Sequence, residues 1–169
     1  FLSRRSPSFR RSIRKAQRDA DSAGLEFEHF QGEQDCAAWY QRIQAIEANT
    51  WKAREGKSIF VNPRYAACYG DAMSRAASDG RLRAVIAVLS GLDVGYIVGG
   101  VIENTYRGFQ IGYADDFHTF SIGNLCQMAK IEALCEEGIT EYDLGMAIDY
   151  KTRWGERMLN LYRVIIYRR

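Results

Sequence analysis

Three β-rich stretches in close succession, Leu82–Leu89, Val94–Ile102 and Thr105–Ala114, constrain this chain more than any other feature. Ser90-Gly91 and Glu103-Asn104 supply the breaks between them, and breaks that short join neighbouring strands as hairpins. The reading is an antiparallel meander. Gly95, Gly99 and Gly100 weaken its middle strand and mark a bulge or a close backbone approach.

Helical patterns flank the meander. Pro7 to Gly24 reads as a helix, with Ser6 as its cap, Pro7 in its first turn and Phe9, Ile13, Ala16 and Ala20 on one face. A short strand through Leu25, Phe27 and Phe30 follows. A second helix is expected from about Glu33 to Thr50, with Cys36, Trp39, Tyr40, Ile43 and Ile46 at helical spacing. A third starts at the cap pair Asn62-Pro63 and stops at Asp79-Gly80. After the meander come a helix from Ile122 to Gly138, a short strand Tyr142-Asp143-Leu144, a short helix from Ile148 to Trp154 and a final strand from Leu161 to Tyr167. Helices, meander, helix, strand, helix, strand describes a mixed α/β domain around one central sheet.

A chain of 169 residues, 47% hydrophobic, is long enough for one domain with a real core. No apolar run approaches the ~18 residues of a membrane span, and no apolar segment follows the basic start as in a secretory signal. Phe1 in place of Met suggests that an upstream part is missing. The four cysteines, Cys36, Cys68, Cys126 and Cys135, have no CxxC spacing and only two histidines beside them. They read as small hydrophobes in a reducing cytoplasm, with neither a metal site nor a disulfide framework expected.

Charge is unevenly placed. Arg4, Arg5, Arg10, Arg11, Arg14, Lys15 and Arg18 all precede the first acid, Asp19. The remaining 16 cations face 21 acids, so the body carries −5 although the whole chain carries +2. Such a basic arm attracts phosphate, RNA or an anionic membrane surface; the plainer reading is a solvated helix face.

Read together, the order of elements and three local motifs resemble the GNAT superfamily, and within it the CelD-like branch of cellulose-biosynthesis type. The motifs are the basic stretch Phe9-Arg10-Arg11-Ser12-Ile13-Arg14-Lys15, the segment Trp51-Lys52 ahead of the glycine-rich meander, and Tyr142-Asp143-Leu144-Gly145 with Tyr150-Lys151-Thr152-Arg153-Trp154-Gly155. The last is the most specific. The resemblance implies a GNAT-like fold with a central mixed, mostly antiparallel sheet flanked by helices, and it implies the C-terminal domain of a longer two-domain protein. It also implies acyl transfer, acetyl first, from acyl-CoA to an amine of a small molecule or amino sugar. Fem-type aminoacyl transferases share the architecture, so transfer from aminoacyl-tRNA and a non-catalytic binding domain stay open as alternatives.

What the resemblance implies residue by residue begins at the donor. GNAT enzymes hold the donor pyrophosphate on a Gln/Arg-x-x-Gly-x-Gly/Ala loop at a helix N-terminus, where free N–H groups favour an anion. Here His118 stands at the cationic position, Ser121 at the first glycine and Gly123 at the second, with Asn124 opening the helix. Ser121 is expected to cap that helix or bind phosphate. Tyr150 takes the place of the acid that protonates the departing thiolate, and Lys151 that of a lysine near the donor phosphate or the developing charge. Asp115, Asp116, His118 and Asp143 are the candidate bases, with Asp143 grouped with Tyr150 and Lys151 as catalytic. Arg14, Lys15 and Asp116 are the candidate substrate contacts. Trp154 is expected to pack.

Overall fold

The computed structural model describes residues 1–160, 162 and 164–167. One five-stranded sheet runs in the order β1 (Leu25–Gln31), β2 (Leu82–Leu89), β3 (Leu92–Ile102), β4 (Thr105–Tyr113), β5 (Glu141–Asp143). The first four strands are antiparallel and β5 runs parallel to β4, so the sheet is mixed as expected. The meander carries two register shifts. Ala87 faces Gly95 while Val88 faces Asp93, and Val98 faces Gln110 while Gly99 faces Gly108. Val94 and Phe109 are therefore the extra residues of two bulges, each next to a glycine of the middle strand.

Helices α2 (Cys36–Ala48) and α4 (Pro63–Ser78) cover one sheet face, burying Ile43, Ile46 and Met73 against Ala84, Ile86 and Val98. Helix α5 (Ile122–Glu136) covers the other, with Ile122, Cys126 and Ala129 against Val85, Val94 and Ile97. A β-carbon on Gly95 would lie 2.2 Å from Ile122 Cγ2, so the glycine lets the start of α5 sit on the strand. Helix α1 (Pro7–Ser22) packs outside α5. Phe9 and Ile13 meet Met128 and Trp154, while Ala20 meets Leu125. Enclosed between sheet and α1, α5 is buried nearly all round over Leu125–Lys130. Each large apolar side chain closed in this way stabilises the fold by about 1.5–3 kcal/mol.

The expected caps are present. Ser6 Oγ accepts from Phe9 N at 3.3 Å, and Asn62 Oδ1 accepts from Arg64 N at 2.9 Å. The helix expected over 33–50 is α2, ending at Ala48, and a single turn not anticipated, α3 (Trp51–Arg54), follows it. Thr50 separates the two: the residue leaves helical backbone (φ −86, ψ 158), and its Oγ1 donates to Glu47 O and accepts from Ala53 N. A hydroxyl that bonds nearby backbone competes with the helix and caps the next one. The short helix expected over 148–154 is one turn, α6 (Asp149–Thr152). Of the final strand expected over 161–167, Leu161 and Arg163 lie outside the described residues, while Tyr162 and 164–167 carry no strand and are exposed.

Candidate active site

Strands β4 and β5 pair only through Thr105↔Glu141, Tyr106↔Tyr142 and Arg107↔Asp143. Past Arg107 they part, and the outer edge of β4 from Gly108 to Tyr113 lines an opening. Ala114 N donates to Val94 O on β3 at 2.9 Å. Alternation along the strand turns the N–H and C=O groups of Ile111 and Tyr113 the other way, into that opening. The chain then makes a 3-10 turn over Asp115–Phe120 and enters α5 through Ser121.

Ser121 adopts left-handed backbone (φ 56, ψ 34), a conformation that suits glycine. The expected cap is absent: its side chain makes no capping bond, because the left-handed turn aims it elsewhere. Its carbonyl instead accepts from Asn124 N (2.9 Å) and Leu125 N (3.1 Å). The N–H groups of Ile122 and Gly123 have no partner among the described residues, so this helix start presents two free donors. His118 is exposed on the turn, its Nδ1 2.9 Å from Asp115 O, and Asp116 beside it is exposed.

The other wall follows β5. Asp143 pairs with Arg107 Nη1 and accepts from Gly145 N at 2.7 Å. Burial alone would raise this carboxyl, but the Gly145 amide and the Arg107 guanidinium, with Lys151 beyond, hold it below the usual range. Lys151 donates to Leu144 O at 2.6 Å, and its ammonium lies 5.9 Å from the Tyr150 ring centre. Burial and Arg107 lower the Lys151 pKa against the pull of Asp143. Tyr150 is 44% exposed, with its hydroxyl pKa raised by partial burial. Behind it the half-buried Tyr142 donates to Gln127 Oε1 at 3.3 Å, which ties this wall to α5.

The model of the acetyltransferase (GNAT) domain matches residues 7–152. The chain belongs to the GNAT acetyltransferase family. It is an N-acyltransferase by that membership, and solved structures share its fold. An aminoglycoside acetyltransferase, meta-AAC0020 from an uncultured soil metagenomic sample, solved with sisomicin, superposes with a TM-score of 0.60 at 15% identity over 86% of this chain and 99% of its own. A second soil-metagenome aminoglycoside acetyltransferase, HMB0005, gives 0.57 at 13% identity over 85% and 98%. The PaiA N-acetyltransferase of Thermoplasma acidophilum, in complex with coenzyme A, gives 0.50 at 14% over 68% and 74%. No curated protein sequence matches significantly.

Within this GNAT domain the residues expected at the site fall into three places. Tyr150, Lys151 and Asp143 gather around Leu144, and His118, Ser121, Gly123 and Asn124 gather at the start of α5. Arg14 and Lys15 lie on the exposed side of α1, Arg14 lining a shallow groove with Arg18, Phe27, Leu125 and Glu132, and Lys15 paired with Asp19. Asp115, a candidate base, is tied up: it accepts from Trp51 N at 3.0 Å, pairs with Arg54, and its own N–H donates to Asn49 O.

One polar group at the GNAT site was not anticipated. Glu47 is 1% exposed and receives the Tyr96 hydroxyl at 2.7 Å, while Lys52 Nζ lies 2.8 Å from its other oxygen. Lys52 also donates to Ile111 O at 3.1 Å. The sequence signal was an acid at i+4 from Ile43, on the inward stripe of α2.

Proposed function

We propose that this domain moves an acyl group, acetyl first, from acyl-CoA to an amine of a small molecule or amino sugar. The observation that carries the reading is the opening along β4, which ends at the two free N–H groups of Ile122 and Gly123. Those donors and His118 suit a pyrophosphate, and the chemistry of the donor set fits the group without a metal ligand. Ser121 and Asn124 shape the turn that exposes them. In this reading Tyr113 N–H receives the acyl oxygen as charge develops there. Tyr150 Oη gives its proton to the departing thiolate. Lys151, anchored on Leu144 O, lies over the Tyr150 ring as a fixed charge. Asp143 serves to hold Arg107 and the Gly145 turn, and its lowered pKa makes it a poor base.

The neighbours lend support of the same kind. One of them was solved with coenzyme A, another with the amine-bearing sisomicin. A thermal-shift series with acetyl-CoA, longer acyl-CoAs and tRNA, followed by a CoA-release assay over a panel of amines, tests the reading. Acyl-CoA is expected to raise the melting temperature and an amine to release CoA. A shift with tRNA alone would move the assignment to aminoacyl transfer, with the cations of α1 as the contact. No response to any acyl-CoA would remove the donor.

A further inference from the structure

Lys52 reaches the open edge of β4 from the α2–α3 junction. One of its three N–H donors is spent on Ile111 O (3.1 Å), while the ammonium lies 2.8 Å from Glu47 Oε1 as an ion pair, without a hydrogen bond to that oxygen. Glu47 is fully buried and fixed on its other oxygen by Tyr96 Oη. The fit is tight: a β-carbon on Gly112 would lie 2.6 Å from Glu47 Oε2 and 2.8 Å from Tyr96 Cε1. The junction itself is pinned by Asp115, through Trp51 N and Arg54. The Lys52 side chain keeps 20% of its surface exposed, so an unspent donor has access to solvent or a ligand. Ile111 O, to which it is tied, faces the same opening as Tyr113 N–H, one strand repeat of about 6.6 Å away.

We propose that Lys52 is the acceptor-side specificity residue, and that it selects amines carrying a hydroxyl on the adjacent carbon. Glu47 and Tyr96 are its positioning residues. The proposal rests on the acyl-transfer reading above and deepens it. Its partner Glu47 neutralises the pair, so no net charge draws in an anion. What remains are N–H donors, which an acceptor meets best with a neutral oxygen next to its nitrogen. Amino sugars and other 1,2-amino alcohols have that oxygen; simple alkylamines do not.

The test compares trans-2-aminocyclohexanol with cyclohexylamine as acceptors, with acetyl-CoA as donor. In the native protein the amino alcohol should lead in kcat/KM by about 10- to 100-fold, the range for one hydrogen bond to a charged donor. The Glu47→Gln, Lys52→Met double variant removes both charges and leaves no unpaired buried carboxylate. Its ratio should fall by that same factor, with acetyl-CoA affinity unchanged; comparing ratios between proteins cancels the different basicities of the two amines. Tyr96→Phe, which frees Glu47 by removing one hydroxyl, gives the test by a milder route and should cut the ratio several-fold. A ratio unchanged in both variants overturns the role of Lys52 while leaving acyl transfer intact. Acetyl-CoA binding without transfer to either amine overturns the acyl-transfer reading itself.

Discussion

The guanidinium of Arg5 donates to the carbonyl oxygens of Trp154 (3.3 Å) and Gly155 (2.9 Å), joining the start of the chain to the end of α6. Arg4 and Arg5 both pair with Glu156, Phe1 stacks on the Trp154 ring at 5.7 Å, and Phe9 meets that ring edge-on at 5.0 Å. Two of the seven leading cations thus hold the turn that carries Tyr150 and Lys151. Arg5→Met should cost about 1–3 kcal/mol, since it leaves two carbonyls without a charged donor and Glu156 with Arg4 alone. Replacing Arg11, Arg14 and Arg18 with Gln should change stability by no more than about 0.5 kcal/mol. Urea unfolding of both proteins checks the contrast. Equal losses would mean that the latch contributes nothing particular.

Tyr150→Phe keeps the ring and removes the proton. If the hydroxyl is the acid, kcat should fall by roughly 10²-fold or more with little change in melting temperature. Lys151→Ala removes the donor to Leu144 O and should raise the KM for acyl-CoA more than it lowers kcat. Full turnover in Tyr150→Phe would leave the hydroxyl without a role, and the thiolate would then take its proton from water.

Lys130 on α5 is 1% exposed, and its ammonium lies 5.8 Å from the centre of the Tyr106 ring. Burial, with Arg83 adding to it and Glu137 opposing, pulls its pKa down to about 8. A lysine whose folded pKa is below its unfolded one binds more protons unfolded, so stability rises with pH between the two values. The rise should start near pH 8 and flatten from about pH 9, where the buried Cys126 thiol, pushed up to about 12, opposes it, before the raised tyrosines Tyr96, Tyr106 and Tyr142 reverse the slope above pH 10. Lys130→Met should remove the rise and stabilise the protein at pH 7 by an amount of order 2 kcal/mol. Urea midpoints at pH 7 and pH 9 decide it; an unchanged slope in the variant would place the titration elsewhere.

The meander and the caps at Ser6 and Asn62 were legible because each rests on local chemistry: alternation and a capping oxygen. The single turn α3 was not, because only the hydroxyl's bonds to Glu47 and Ala53 end one helix and cap the next. Among site residues, the Tyr150-Lys151 turn was marked by resemblance. Glu47 and Lys52 join only when β3 and β4 fold beneath them, and no local pattern brings residues 47, 52, 96 and 111 together. The basic arm read as a solvated helix face or a ligand surface, since sequence cannot tell that Arg5 has carbonyls to cap 150 residues away.

Ser121 holds left-handed backbone at the start of the proposed donor loop, where the resemblance to GNAT enzymes implies a glycine. A side chain there costs roughly 1–2 kcal/mol, while a glycine gives back about 0.4–1 kcal/mol through the freer unfolded chain. Ser121→Gly should therefore stabilise slightly, by about 0.5–1 kcal/mol, or a rise of a few degrees at most in melting temperature for a domain of this size. The effect on the donor should be larger. Removing the β-carbon lets a phosphate approach the N–H groups of Ile122 and Gly123 more closely, and charge-assisted hydrogen bonds strengthen as they shorten. Acetyl-CoA should bind about 3- to 10-fold more tightly, a gain of about 1 kcal/mol, measurable by calorimetry, whereas dephospho-pantetheine acyl thioesters, which lack the pyrophosphate, should bind as before. A variant that is more stable but binds both donors unchanged would put the pyrophosphate somewhere other than the start of α5.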